Sequence, residues 1–263
     1  DPMTMLKTYG VDGVRYWAAQ GRPGVDMVFD EGQLKIGRRL ATKLLNASKF
    51  ALTLSEGAKG QPTVLLDRAL LVGLADLVEE ATSSFDRFDY ARAIERTEAF
   101  FWPFCDDYLE LVKGRAYGVE GEGTESARAT LAIAIKTMVQ LFAPFLPYVT
   151  EEVWSWFEEG SVHRSTWPSA TEIRSWTSET DNVGLLLTAG YVLSAIRKVK
   201  TAAQVSMKAE VGAVHIVGPD AVRAGLEAVE GDLRNAGVIS GLITFGPGDE
   251  LRVEAVLGTA ASP

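Results

Sequence analysis

The chain has 263 residues, with 35 acidic and 26 basic side chains giving a formal net charge of −9, and its apolar and charged fractions are those of a soluble globular protein with ample core. One cysteine, Cys105, excludes an internal disulfide and a cysteine-rich zinc site and fits a reducing cytosol. The two histidines, His163 and His215, stand far apart with no H-x-x-x-H pair, which argues against a metal site.

The first residues, DPMTMLKTYG, carry no basic-then-apolar signal and no initiator Met, and read as an internal segment. Residues 3–20 predict a short amphipathic helix interrupted at Gly10 and Gly13, followed by a turn at Arg22-Pro23-Gly24 and a short strand at VDMVF. A basic helix over about 33–52 comes next, then a loop at 55–62. A long helix over about 64–84 places Leu66, Leu70, Leu74, Leu77 and Val78 at 3.6-residue spacing. After a break at Asp86–Phe88, another runs from about 89 to 115, and Pro103 should kink it by removing a backbone donor and crowding the preceding turn.

GVEGEGTE (118–125) reads as a linker, because its glycines do not precede the basic or hydroxyl residues of a phosphate-cradling loop. A fourth helix spans about 126–143 and ends at Pro144 and Pro147, with Thr150 expected to cap the next one and Glu151 and Glu152 near its positive end. The apolar run at 131–149 is interrupted by Lys136, Gln140 and two prolines, so it reads as bundle core and not as a membrane span. Past a tryptophan-containing loop at 161–178, a helix is expected at 183–200, a strand at VGAVHIVG, a helix at AVRAGLEAVEGDLRNAG, and strands at GLITFG and LRVEAVL. The expected fold class is mainly α, an antiparallel helical bundle followed by a small α+β C-terminal domain, with segments at 1–31, 32–178 and 179–263.

The charge is segregated. Residues 1–50 hold eight bases and five acids, and residues 183–209 four bases and no acid, so any RNA contact belongs to these two stretches; residues 32–55 alone hold five bases and no acid. At roughly 100° per residue, Lys35, Arg39, Lys43, Asn46 and Phe50 share a sector of about 80°. Ile36, Leu40, Leu44, Ala47 and Ala51 occupy the adjacent sector and read as a buried stripe. Cations, an amide and an aromatic ring are what phosphate neutralisation, base-edge bonding and base stacking need. The same pattern also fits a solvated basic face beside a core stripe. Arg197, Lys198, Lys200 and Lys208 form a second candidate for phosphate contact, with a solvated helix end as the alternative.

Catalysis finds little support. Cys105 lies in the aromatic run FFWPFCDDY and reads as an inert core thiol. Asp106 and Asp107, being adjacent, diverge on a helix and make no carboxylate pair; helix ends or arginines are their expected partners. Phe100, Phe101, Trp102, Phe104 and Tyr108 read as core in preference to a stacking platform. His163 reads as a loop or interface histidine.

Four stretches resemble the C-terminal part of class I valyl-tRNA synthetases. Asp1-Pro2 with YGVDGVRYW resembles the segment just after the KMSKS loop, and GRPGVDMVFDEGQLKIGRRLATKLLNASKF the junction into the anticodon-binding domain, KLLNASKF being closer to the valine form than to the isoleucine one. AFFWPFCDDYLELVKGRAYG resembles the long central helix, and LFAPFLPYVTEEVW with SVHRSTWP the final helix and exit loop. Residues 1–170 carry the resemblance; residues 180–263 match more loosely. It implies an anticodon-binding fragment without catalytic or editing site, taking no cofactor itself, of an enzyme that attaches valine to its tRNA with ATP and Mg. The implied partners are tRNA(Val) and the upstream catalytic domain, in a cytoplasmic monomer with no membrane contact.

The resemblance also assigns roles. Phe50 would stack, Asn46 or Lys43 would meet a base edge, and Lys35, Arg38 and Arg39 would neutralise phosphates, while the first 30 residues support the inner side of the tRNA. A long C-terminal coiled-coil arm, present in many bacterial valine enzymes, has no heptads here. The corresponding region of an isoleucyl or leucyl enzyme, or a helical protein-interaction module that binds no RNA, are the competing readings.

Overall fold

A computed structural model describes residues 1–118 and 121–258. The helices are α1 (Pro2–Ala19), α2 (Glu31–Ser55), α3 (Leu65–Asp86), α4 (Tyr90–Pro103), α5 (Leu109–Ala116), α6 (Glu122–Phe142), α7 (Pro147–Trp154), α8 (Ala170–Arg174), α9 (Gly184–Ala202), α10 (Asp220–Ala228) and α11 (Glu230–Gly237). The strands are β1 (Val211–Gly218), β2 (Ile239–Pro247) and β3 (Arg252–Leu257). The protein is thus mainly α, a helical bundle followed by a small α+β part. It divides into two compact units, one of residues 1–60, 73–102 and 128–176, the other of residues 61–72, 103–127 and 177–263. The segments expected at 1–31, 32–178 and 179–263 differ from this division, because α1 packs on α2 and because 61–72 and 103–127 group with the residues beyond 177.

In the first unit, α1 kinks only at Gly10, whose φ of +76° suits glycine; Gly13 stays helical. The reason for Gly13 is a close approach, since a Cβ there would lie 3.1 Å from the Leu34 carbonyl oxygen. VDMVF forms no strand. It has no neighbour to pair with among the described residues, Val28 is 80% exposed, and the segment is held by Trp17, whose indole N–H donates to the Val28 carbonyl (3.4 Å) and whose ring stands edge-on to Phe29.

Asp30 caps α2 by accepting from the Gly32 amide at 2.7 Å. The buried face of α2 is Leu34, Gly37, Leu40, Leu44, Ala47, Ser48, Ala51, Leu54 and Ser55. Ile36, expected within the stripe, lies at its rim and is 37% exposed. Gly37 turns the face that way, because a Cβ there would come within 2.5 Å of the Tyr16 Cβ and only hydrogen fits. Thr150 does not cap α7. Pro147 starts that helix, leaving Thr150 inside it with its hydroxyl donating to the Leu146 carbonyl at 2.8 Å. The cap comes instead from buried Asp12 on α1, whose carboxylate accepts from the Tyr148 and Val149 amides at 3.1 and 2.8 Å.

Leu66, Leu70, Leu74, Leu77 and Val78 are all buried, as their spacing predicts, and so are Leu131, Ile135, Met138, Val139 and Phe142 of the long apolar run. Among the described residues no helix is long and apolar enough to cross a membrane. Pro103 answers its missing donor with a π-helical turn over Phe104–Tyr108, closed by the Leu109 amide on the Phe104 carbonyl, so α4 continues into α5 through a widened turn. α6 begins at Glu122, inside the expected linker 118–125, of which Val119 and Glu120 lie outside the described residues.

In the second unit, buried Asp67 is the hub. It accepts from both terminal nitrogens of Arg115 (2.9 and 2.8 Å), from the Tyr108 hydroxyl (2.8 Å) and from the Ser126 hydroxyl (2.6 Å). Arg115 also donates through Nε to Asp232 at 2.8 Å, so one guanidinium joins two carboxylates that are almost wholly out of water. The three-stranded sheet has the order β2-β1-β3, with β1 parallel to β2 and antiparallel to β3. The single helix expected over 221–237 is two, α10 and α11, separated at Val229.

This packing has two measurable consequences. Gly37→Ala is expected to lower stability by about 1–3 kcal/mol through the overpacked Tyr16 contact. Arg115→Met, which strands two buried carboxylates, is expected to cost about 3–5 kcal/mol. Urea unfolding followed by circular dichroism measures both, and unchanged midpoints would contradict these packing assignments.

Candidate nucleic-acid interface

Beyond Glu31, α2 carries no acidic side chain until the helix has ended at Ser55. With its other face buried, Arg39, Thr42, Asn46, Lys49 and Thr53 form an exposed strip at three- and four-residue spacing, flanked by half-buried Lys43 and Phe50. At about 1.5 Å per residue the strip is about 21 Å long.

The six residues named from the sequence share the helix but not one role. Lys35 is exposed and ion-paired with Glu31 at 3.1 Å; that same carboxylate accepts from the Tyr9 hydroxyl. Glu31 and Lys35 thereby hold each other charged, the carboxyl shifted below its ordinary range mainly by the Tyr9 bond and the ammonium shifted up by Glu31. Arg38 is exposed but donates through Nη1 to the Thr8 carbonyl at 2.7 Å, tying α2 to α1. Arg39 lies with its guanidinium 5.0 Å from the centre of the Trp102 ring, a cation–π contact. Asn46 is exposed, and Lys43 and Phe50 are half-buried beside it.

Arg39 is held by a chain of contacts. The Glu98 carboxylate accepts from the Trp102 indole N–H at 2.9 Å and from the Tyr16 hydroxyl at 2.6 Å, which fixes the ring beneath the guanidinium. Burial, with the Glu98 bond, pushes the Tyr16 hydroxyl well above its ordinary pKa and keeps it a donor. Lys49 is the strip residue that sequence reasoning misses. It falls just outside the sector that holds Lys35, Arg39 and Lys43, but it stands three residues after Asn46 on the exposed side, and that spacing was a usable signal.

Two bases of the second basic stretch, Arg197 and Lys200, are committed to the fold. Lys200 is 2% exposed, and its ammonium donates to the carbonyls of Met207 (2.9 Å) and Gly237 (2.8 Å). Burial pushes its pKa down. It is therefore no surface phosphate contact, contrary to expectation: the helical turn that looked like a solvated end is covered. Arg197 pairs with the Asp107 carboxylate at 3.1 Å, the arginine partner expected for it, and donates to the backbone carbonyl of Asp106 at 2.7 Å. Burial nevertheless raises the Asp107 pKa. Lys198 and Lys208, the other two of the four, are exposed.

The candidates for chemistry sit as structural groups. Cys105, Phe101, Phe104 and Tyr108 are buried. His163 places Nε2 3.1 Å from the Pro147 carbonyl, and His215 places Nδ1 2.8 Å from the Thr244 hydroxyl. Among the described residues no group of three or more His, Cys, Asp or Glu side chains could hold a metal ion.

Residues 67–216 match the family model described as the anticodon-binding domain of tRNA ligase. The match begins beyond α2. Relatives cover nearly the whole chain: a valine–tRNA ligase of Thermobifida fusca is 49% identical over 98% of this chain and 30% of its own length. One of Salinispora arenicola is 46% identical over 98% of this chain and 32% of its own. The chain spans about a third of the length of the curated relatives it matches. Among solved structures, the agnB2 LeuRS of Agrobacterium radiobacter K84, in ternary complex with tRNA and LeuAMS, is alike in fold over 65% of this chain and 21% of that one, with a TM-score of 0.52 and 18% identity.

Lys198 and Lys200 can be told apart by stability. Lys200→Ala leaves two carbonyls without their buried donor and is expected to cost about 2 kcal/mol or more in urea unfolding, whereas Lys198→Ala leaves the midpoint unchanged. Equal effects would return both lysines to the surface.

Proposed function

The chain belongs to the family of anticodon-binding domains of tRNA ligases, and on that premise we propose that the exposed strip of α2 holds the anticodon loop of a tRNA for valine. The observation that carries this reading is the strip itself: a helix face with no acid, with Arg39 oriented by Trp102, and with Asn46, Lys49 and Phe50 in succession behind it. Unstacked loop bases are recognised by stacking and by edge hydrogen bonds, and their phosphates by cations. In this reading Arg39 and Lys49 meet phosphates, Asn46 or Lys43 meets a base edge, and Phe50 stacks. Arg38, tied to the Thr8 carbonyl, adds field more than contact, and the Lys35 charge is offset by Glu31.

The whole protein would be a valine–tRNA ligase, by the names of the relatives that cover this chain. It would attach valine to its tRNA using ATP, with ATP and Mg bound by the rest of the polypeptide, as a cytoplasmic monomer. No step of that chemistry falls to residues of this chain, whose part is to hold the RNA while the reaction proceeds elsewhere.

The test is a salt titration of binding to a tRNA with a valine anticodon and to one with altered anticodon bases. Lys49→Ala is expected to weaken both and to flatten the log–log salt slope by about 0.7–1. Asn46→Ala and Phe50→Ala are expected to reduce the preference for the valine anticodon about tenfold. Binding that ignores both the anticodon and these substitutions would favour a protein-interaction module instead.

A further inference from the structure

Beside the C-terminal half of α2 lies a cavity of about 650 Å³, within the size range of pockets that enclose small organic ligands. Lys49 and Thr53 bring the end of the exposed strip to its wall, Ile133 and Lys136 of α6 line it further, and Trp156 and Glu158, beyond α7, complete it. Three features of this lining belong together chemically. Trp156 is 41% exposed, and its indole N–H donates to Glu152 at 3.2 Å, which fixes the ring while leaving surface to stack on. The Lys136 ammonium and the Glu158 carboxylate, 2.5 Å apart, set a donor beside an acceptor, with about a third or more of each side chain still exposed. Lys49 supplies an exposed cation where the strip meets the cavity.

An aromatic ring, an adjoining donor–acceptor pair and a cation at the margin suit a planar heteroaromatic ring joined to a phosphate. We propose that this cavity receives one unstacked nucleobase of the RNA held on α2, stacked on Trp156 with its edge on the Lys136–Glu158 pair and its phosphate at Lys49. Glu158 can accept from an amino or imino N–H while Lys136 donates to the neighbouring ring nitrogen or carbonyl, an edge that adenine, cytosine and uracil each present. Continuity with the strip through Lys49 and Thr53 makes RNA the occupant to test; a peptide segment would need no such cation at the margin. The proposal rests on the α2 reading above.

The experiment titrates the 263-residue chain with anticodon stem-loop RNAs that carry 2-aminopurine at one loop position at a time, since its fluorescence is quenched on stacking. Quenching at one position is expected, lost in Trp156→Ala with about a tenfold weaker affinity and kept in Trp156→Phe. Glu158→Gln is expected to weaken binding of the stem-loop quenched at that same position several-fold. The exposure of Trp156 makes folding of the variants straightforward to confirm by thermal unfolding. If Trp156→Ala leaves quenching and affinity unchanged while Phe50→Ala weakens binding, the cavity assignment falls and the strip stands. If neither substitution changes binding, both fall.

Discussion

Where α1 crosses α2, Gly37 leaves room for a hydrogen atom and nothing larger against the Tyr16 side chain, and this contact decides which way α2 faces. A helix with five cations and nine buried positions could be rotated by tens of degrees without losing its amphipathic character. The Tyr16 contact removes that freedom. It turns Leu34, Leu40 and Leu44 inward, sends Ile36 to the rim, and leaves Arg39, Asn46 and Lys49 outward. Tyr16 does more than fill space, because its hydroxyl, bonded to Glu98, shares that carboxylate with Trp102, the ring on which Arg39 lies. One tyrosine thus sets the rotation of the helix and, through Glu98 and Trp102, the position of its first strip cation. Asp12, about a turn before Tyr16 on the same helix, caps α7, so α1 also fixes where the helix preceding Trp156 begins.

The second unit shows the opposite use of charge. Arg115, Asp67 and Asp232 are taken out of water and cross-bonded, and Lys200 commits its ammonium to two carbonyls in the interior. Buried ionic groups of this kind add less net stability than their short distances suggest, because each had to be desolvated; their loss is costly because it leaves a partner bare. A count of bases along 183–209 does not separate such interior cations from surface ones. What separates them is whether a carbonyl or carboxylate lies within reach, and that depends on segments such as Met207 and Gly237.

The same distinction sets how far the sequence could be read. Helix spans were legible wherever the apolar spacing was regular, as with Leu66 to Val78 and the run to Phe142, because burial of one face is a local pattern. Pro103 was legible as a disturbance, and the structure makes it a π-helical turn. Misreadings arose where a distant residue decides. Thr150 had the chemistry of a cap, but Asp12 supplies it. VDMVF had strand propensity without a strand to join, and Lys200 had the look of a surface lysine. In the candidate site the basic face of α2 was visible as a period, whereas the ties of Lys35 to Glu31 and of Arg38 to Thr8 were not. The cavity beside Lys49 was invisible, since its walls are drawn from segments far apart in the chain, around Lys49, Lys136 and Trp156.

Those ties bear on how such a strip would discriminate. A chain with net charge −9 repels polyanions over much of its surface, so attraction falls to faces where acid is missing, the exposed strip of α2 among them. On that helix the Lys35 charge is already offset by the Glu31 carboxylate, and Arg38 keeps its charge but is tethered to the Thr8 carbonyl. Fully uncompensated cations would bind any phosphate backbone and make affinity indifferent to sequence. Reducing their number lowers that indiscriminate share and leaves a larger fraction of the binding energy to groups that distinguish bases, the Asn46 amide and the aromatic rings among them. The partial neutralisation of α2 is in that sense part of the proposed site and not a defect in it.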